Sequence, residues 1–453
     1  MDTVVAIDRA RLAELHAREE ALFVARHARS GERALTAAQH LVGGVPMAWM
    51  TRWPGAHPVF FDRAEGARFW DVDGHEFVDF CLGDTGAMTG HALPQVSEAL
   101  HCQAQRGITT MLPNADAIWV GSELARRFGL PLWQMAMTAT DANRFVLRFA
   151  RCLTGRSKVL VFDWCYHGSL DETLVVLGPD GQTISRLGHI GPQVNPELTT
   201  VVVPFNDVPA LEVALATGDI ACVLAEPALT NIGIVLPDPG FHDALRSLTR
   251  KHDVMLVIDE THTICAGPGG ATRAWGLEPD FLVIGKTIGG GIPVAAYGCT
   301  AAIAARLNEL FADRGFDTSG VGGTLTGNAL ALAAVRATLG STLREADFAH
   351  MIPLATCWSR GVQSTIGEFG LPWSVQQLGC RAEYWFCPPP RDGATAAAAT
   401  DEELDAFMHL WAVNRGILLT PFHNMALMSP YHSEADVDRH TQVFHDAVVA
   451  LLS

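Results

Sequence analysis

Lysine is almost missing from this sequence: of the 32 lysines and arginines in 453 residues, only Lys158, Lys251 and Lys286 are lysines. Positive charge of either kind is also short, with 49 acidic residues and a net charge of −17. Such a surface excludes a nucleic-acid partner, which needs basic patches to meet phosphates. The carboxylates are scattered rather than blocked, so an acidic tail is excluded as well. No run reaches the roughly 18 uninterrupted apolar residues of a membrane span, and MDTVVAIDRARLAELHAREE at the start carries charge too early for an export signal. The ten cysteines form no C-x-x-C pair, and several lie in apolar runs. Buried thiols in a reducing cytoplasm are expected, rather than disulfides or zinc. The eighteen histidines show no ligand spacing, so no metal site is expected.

What is present is apolar patterning. With 49% hydrophobic residues the chain can bury large cores. Residues 8–40 have few glycines, no proline and helical apolar spacing, which predicts an N-terminal helical arm. The stretch HPVFFDRAEGARFWDVDGHEFVDF predicts a hairpin turning at Glu-Gly and Asp-Gly. From about residue 90, short runs recur at helical intervals: MAMTAT, KVLVFDW, TTVVVPF, ACVLAEPA, VMLVIDET, FLVIGK and VAAYGCT. Val/Ile/Leu runs alternating with helices predict a parallel sheet covered on both faces. Ligands of such sheets sit beyond the carboxyl ends of the strands. Thr140, Tyr166, Glu226, Asp259 and Lys286 therefore become the first candidates. The expected division is a helical arm with part of a small domain at 1–89, a large α/β domain at 90–335 and the rest of the small α+β domain at 336–453. An Ala-rich stretch, GATAAAAT at 393–400, is expected to be a mobile loop.

Lys158 enters a strand after a turn and Lys251 lies at a polar helix end, both solvated settings. Lys286 ends the apolar FLVIG and precedes TIGGGIP, where glycines allow close approach. A lysine in such a place can act as an amine nucleophile; an ordinary lysine snorkelling from a strand end is the competing reading. Asp259 ends VMLVID and stands 27 residues earlier, room for a helix and a parallel strand. Pyridoxal phosphate requires such a pair: a lysine to bind it and a carboxylate to keep its pyridinium nitrogen protonated. Nucleotide hydrolysis is the rival, since VMLVIDE resembles a Walker B strand and Gly285-Lys286-Thr287 a P-loop end. It fails because the loop's first glycine would fall on Asp280.

These motifs resemble the class III aminotransferases of fold type I, especially their glutamate-1-semialdehyde aminomutase-like branch. The strongest stretch is AEPALTNIGIVLPDPGFHDALRSLTRKHDVMLVIDETHT…WGLEPDFLVIGKTIGGGIPVAAYG, and the likeness runs from about residue 40 to the end. The resemblance implies a fold type I transferase with a mostly parallel seven-stranded sheet. It implies pyridoxal 5′-phosphate held by Lys286 as a Schiff base, with Asp259 on its ring nitrogen. Tyr166 would stack on the ring, beside His167. Thr138-Ala139-Thr140-Asp141-Ala142 resembles the family's phosphate loop, so Ala139 and Thr140 would cradle the phosphate. Thr324 resembles the residue reaching the partner subunit's phosphate, implying a homodimer with shared sites. Glu226, Thr261 and His262 complete the expected surroundings; Thr261 and His262 depart from the family's usual residues.

The substrate side departs further. The branch carries Asn-Ser-Pro-Val-Arg after Gly-Gly-Val, its arginine clamping a carboxylate; this chain has Pro46-Met47-Ala48-Trp49-Met50. An apolar Trp49/Met50 wall favours bulky apolar groups, with His423 near the same substrate. Arg381, which interrupts an apolar strand pattern, is the candidate cation for a keto acid, an ion pair with Glu383 being the alternative. From this wall the expected reaction is ping-pong transamination between a small-molecule amine and a keto acid or ketone. An aminomutase of the glutamate-1-semialdehyde type is the alternative, followed by a pyridoxal-phosphate lyase or racemase.

Overall fold

The computed structural model describes residues 7–191, 194–313, 315 and 317–453. The chain forms two compact units. One comprises residues 94–345 with 390–398; the other comprises residues up to 93, 346–389 and 399–453.

The first unit is built on a seven-stranded sheet. Its strands lie in the order Leu132–Ala136, Ala295–Cys299, Phe281–Ile284, Met255–Asp259, Ile220–Ala225, Lys158–Phe162, Thr200–Val203. Every strand but Ala295–Cys299 runs in one direction. Ile220–Ala225 and Phe281–Ile284 are buried at every position, as a sheet covered on both faces requires. The segment 285–294 is too short for the crossover that a parallel neighbour needs, so the chain returns as an antiparallel strand. The MAMTAT run divides differently from its apolar pattern: the strand stops at Ala136, and Thr138 caps the helix Ala139–Thr154 by accepting the Asp141 N–H. Residues 393–398 form a short helix rather than a mobile loop, in keeping with alanine's helix preference.

In the second unit, strands Phe61–Glu65, Arg68–Asp71 and Glu76–Asp79 form an antiparallel meander, with Ile417–Leu418 added parallel to the last. Gly66 and Gly74 occupy left-handed turn positions in it. Strands Ser374–Leu378, Arg381–Trp385 and Met425–Leu427 make a second sheet. The N-terminal arm is two helices, Arg9–Arg26 and Ala28–Ala37, broken at His27. Phe23 packs there with Phe69, Phe77, Leu410 and Val413. Buried Glu19 takes hydrogen bonds from Arg415 and Asn414, fixing the first helix beside Glu402–Val413. Among the described residues no helix is long and apolar enough to cross a membrane. None of the ten cysteines is in a disulfide, and six of them are buried; Cys102 and Cys152 are exposed.

Candidate active site

Strands running one way bring their carboxyl ends to one edge of the sheet, and that edge gathers the chemistry. Asp259 closes Met255–Asp259 and is buried. Its Oδ2 accepts from Asn143 Nδ2 at 2.8 Å and lies 2.9 Å from His167 Nδ1; its Oδ1 accepts from Thr261 Oγ1 at 2.6 Å and Thr261 N at 3.1 Å. Burial pushes this carboxyl up, but His167, Thr261 and Asn143 hold it below its ordinary value. Burial disfavours the charged form of His167, yet Cys165 and the Asp259 carboxylate raise it to about 10. The pair is thus an ionised carboxylate beside a cation, and His167 Nε2 is buried with no hydrogen-bond partner.

Lys286 follows the neighbouring strand, whose Val283 pairs with Asp259. Its backbone is left-handed, φ +50°, a conformation costly for a residue with a Cβ by roughly 1–2 kcal/mol. Such strain persists only where the surroundings enforce it, and it concentrates at functional sites. Lys286 Nζ lies 2.6 Å from His262 Nε2. The ideal Cβ of Gly285 would stand only 3.1 Å from Ala139 Cβ, so the lysine strand approaches the start of helix Ala139–Thr154 closely.

Thr138 takes up the Asp141 N–H of that helix start, whose remaining first-turn N–H groups suit an anion. Ser169 N donates to Thr140 Oγ1 at 3.3 Å, bringing the Tyr166-His167-Gly168 turn to the same place. At Gly168, φ +88°, an added Cβ would lie 2.1 Å from Thr140 Oγ1, so only glycine fits. Asp141 sits in the first helical turn, but it is occupied by the Thr138 hydroxyl at 2.9 Å and by Arg144 at 3.7 Å. Tyr166 is half-buried, and its N–H reaches Glu226 Oε1 at 3.4 Å. Burial raises the Glu226 carboxyl, and Thr230 donates to it. An amine, a buried ionised carboxylate and a helix start on one edge match the three poles of pyridoxal phosphate: aldehyde, ring nitrogen and phosphate.

Asn143, not among the residues expected from sequence, bridges Asp259 and the His167 carbonyl. Its signal was present: it is a polar residue in a buried stripe with Ala142, Val146, Leu147 and Ala150. Thr324 is exposed and lines a cavity of about 280 Å³ with Thr109, Met111, Leu112 and Gly323.

Trp49, Met50, Arg381 and His423 belong to the other unit. Trp49 and Met50 are on an exposed turn, and the Trp49 ring meets Phe422 edge-on at 5.8 Å. Arg381 is fully buried, its Nη2 donating to Glu383 at 3.2 Å; His423 Nδ1 is 3.2 Å from the same carboxylate. Burial raises Glu383, yet His423 and Arg381 hold it below its ordinary value. The histidines are not all dispersed: His27 and His75 meet Asp71, joined by the fold from segments far apart in sequence.

The class-III aminotransferase family model matches residues 50–352. A curated relative from Desulfitobacterium hafniense (strain Y51), 33% identical over 402 residues covering 88% of this chain and 92% of that protein, is a glutamate-1-semialdehyde 2,1-aminomutase. A crystal structure of a glutamate-1-semialdehyde-aminomutase from Pseudomonas aeruginosa PAO1 superposes with a TM-score of 0.96 at 49% identity, covering 99% of this chain and 100% of that one. A K286A variant of that enzyme was crystallised in complex with PMP. An omega-transaminase from Sphaerobacter thermophilus stands further off, at 27% identity and a TM-score of 0.85 over 94% of this chain and 98% of its own.

Proposed function

The chain belongs to the class-III aminotransferase family, a fold type I enzyme working with pyridoxal 5′-phosphate, and on that premise we propose that it is an aminomutase of the glutamate-1-semialdehyde 2,1 type. This corrects the expectation of exchange between an amine and a keto acid. The relatives at 32–36% identity and the structure at 49% are aminomutases, in which the amino group stays with one carbon skeleton. The apolar Trp49/Met50 turn was too slight a basis for the other reading.

The likeness to aminomutases along most of the chain carries the proposal, and the joining of Lys286, Asp259 and the Ala139–Thr154 helix start on one sheet edge supports the cofactor's place. Bound there, pyridoxal phosphate supplies an electrophilic carbon for amines and an electron sink. Asp259, ionised through His167, Asn143 and Thr261, keeps a proton on a ring nitrogen. Lys286 Nζ takes a proton from the substrate carbon bearing nitrogen and returns it elsewhere on the same molecule. His262 Nε2, at 2.6 Å, orients that amine. Thr140 and the helix N–H groups would hold the phosphate, and Tyr166 would lie against the ring. The reaction is an isomerisation: nitrogen moves from C2 to C1 as the carbonyl moves from C1 to C2, so nothing is added or lost.

The exposed Ile108, Met111, Leu112 and Leu325, around the Thr324 cavity, support a homodimer in which each Thr324 serves the partner's phosphate. Cysteines without disulfides accord with a cytoplasmic enzyme. The test is to give the holoenzyme glutamate 1-semialdehyde without any keto acid and follow the 5-amino-4-oxo acid isomer. Full conversion is expected, and turnover in Lys286→Ala should fall by about 10²–10⁴-fold or more. Turnover only after a keto acid is added would refute the proposal.

A further inference from the structure

We propose that His27, Asp71 and His75 bind a divalent first-row transition-metal cation. His27 lies at the break between the two N-terminal helices, 1% exposed and stacked on Phe23 with ring centroids 4.3 Å apart. Its Nδ1 is 2.9 Å from the Phe23 carbonyl oxygen. A carbonyl only accepts, so the ring proton is on Nδ1 and Nε2 carries a bare lone pair. That Nε2 is buried, makes no hydrogen bond and faces Asp71 Oδ2 at 3.5 Å.

Asp71 ends the strand Arg68–Asp71, with its side chain fully buried. It accepts from His75 N at 2.7 Å through Oδ1 and lies 2.9 Å from His75 Nδ1 through Oδ2. An imidazole lone pair set against a buried carboxylate oxygen brings two acceptors together, which is unfavourable without a cation between them. The three ligand atoms lie within 4.8 Å of one another. In a tetrahedral site with bonds of about 2.0–2.1 Å, neighbouring ligands stand roughly 3.3 Å apart. The 3.5 and 2.9 Å separations fall on either side of that spacing.

The surroundings suit the role. A ligating histidine characteristically donates its other N–H to a backbone carbonyl, as His27 does to Phe23. His75, a quarter exposed on the hairpin turn, opens the site to solvent and leaves room for a water as fourth ligand. On binding, His75 Nδ1 gives up its hydrogen and the ring takes its other neutral tautomer. Two imidazoles and a carboxylate favour zinc or a neighbouring metal over calcium or magnesium. The adjacent Asp73 already accepts from Arg29 N at 2.7 Å and Ser30 N at 3.1 Å. The cation would thus fasten the helix break to a hairpin whose alignment is set.

The test uses tag-free holoenzyme, stripped by a chelator, dialysed and titrated with Zn²⁺ by calorimetry, and with Co²⁺ by its visible d–d bands. One Zn²⁺ per chain, a raised Tm on saturation and intense four-coordinate Co²⁺ bands are expected. Asp71→Asn and His75→Gln should each weaken Zn²⁺ at least tenfold and abolish the Tm rise. His75→Gln alters a surface turn and retains the fold where Asp71→Asn fails to. Unchanged Zn²⁺ uptake in His75→Gln, or no stoichiometric uptake in the parent, would leave only a His-Asp-His hydrogen-bond network and overturn the site.

Discussion

At the scale of single residues, Asp259 and His167 work as a unit whose charge state has a measurable signature. His167 is raised to about 10 against the burial that would lower it. Its folded-state value exceeds the roughly 6.5 of an unfolded chain. The stabilisation it gives is therefore complete below about pH 6.5 and is lost as pH rises through about 10. His167→Gln should depress the urea midpoint most near pH 6, the gap closing above pH 10. A gap independent of pH would mean that His167 is neutral in the folded chain. Lys286 and Asp259 were legible in sequence because each is a lone polar residue closing an apolar run. Asn143 was not read: a helical stripe tolerates one polar residue, and only the third dimension shows that it meets a carboxylate. The His27-Asp71-His75 cluster had no sequence signal, because its members come from a helix break and a hairpin.

At the scale of elements, the turn after Lys158–Phe162 is fitted to the helix start so closely that Gly168 has no alternative. Gly168→Ala combines φ +88° with a Cβ 2.1 Å from Thr140 Oγ1. The substitution should cost about 1–3 kcal/mol of stability and weaken cofactor retention, read as a lower denaturation midpoint and faster loss of visible absorbance on dilution. An unaltered midpoint would show that the two segments separate freely. The fully apolar strands were plain in sequence, since a sheet buried on both faces demands continuous Val, Ile and Leu. Strand direction was not, because VAAYGCT has the same composition whichever way it runs. Only the shortness of 285–294 decides it. The alanine stretch at 393–400 misled because a low-complexity run and a short helix share a composition.

At the scale of the whole molecule, the proposed homodimer rests on the exposed Ile108, Met111, Leu112 and Leu325. If that proposal holds, Leu112→Asp should yield monomers by light scattering and lose most isomerase turnover, since each Thr324 is proposed to serve the partner's phosphate. Monomers with full turnover would show that each chain is self-sufficient. The wider architecture was readable as alternating strands and helices; the substrate was not, since one turn at Trp49 and Met50 outweighed a likeness running through most of the chain. The antiparallel return strand also bears on how the amine behaves. Lys286 is tied on one side to Phe281–Ile284 and, through 287–294, to Ala295–Cys299, which are hydrogen-bonded to each other. Its backbone cannot drift as a loop would, so the amine's radius of travel is metered by side-chain torsions alone. The nitrogen swings like a needle on a fixed pivot, and only atoms on that arc can exchange a proton with it.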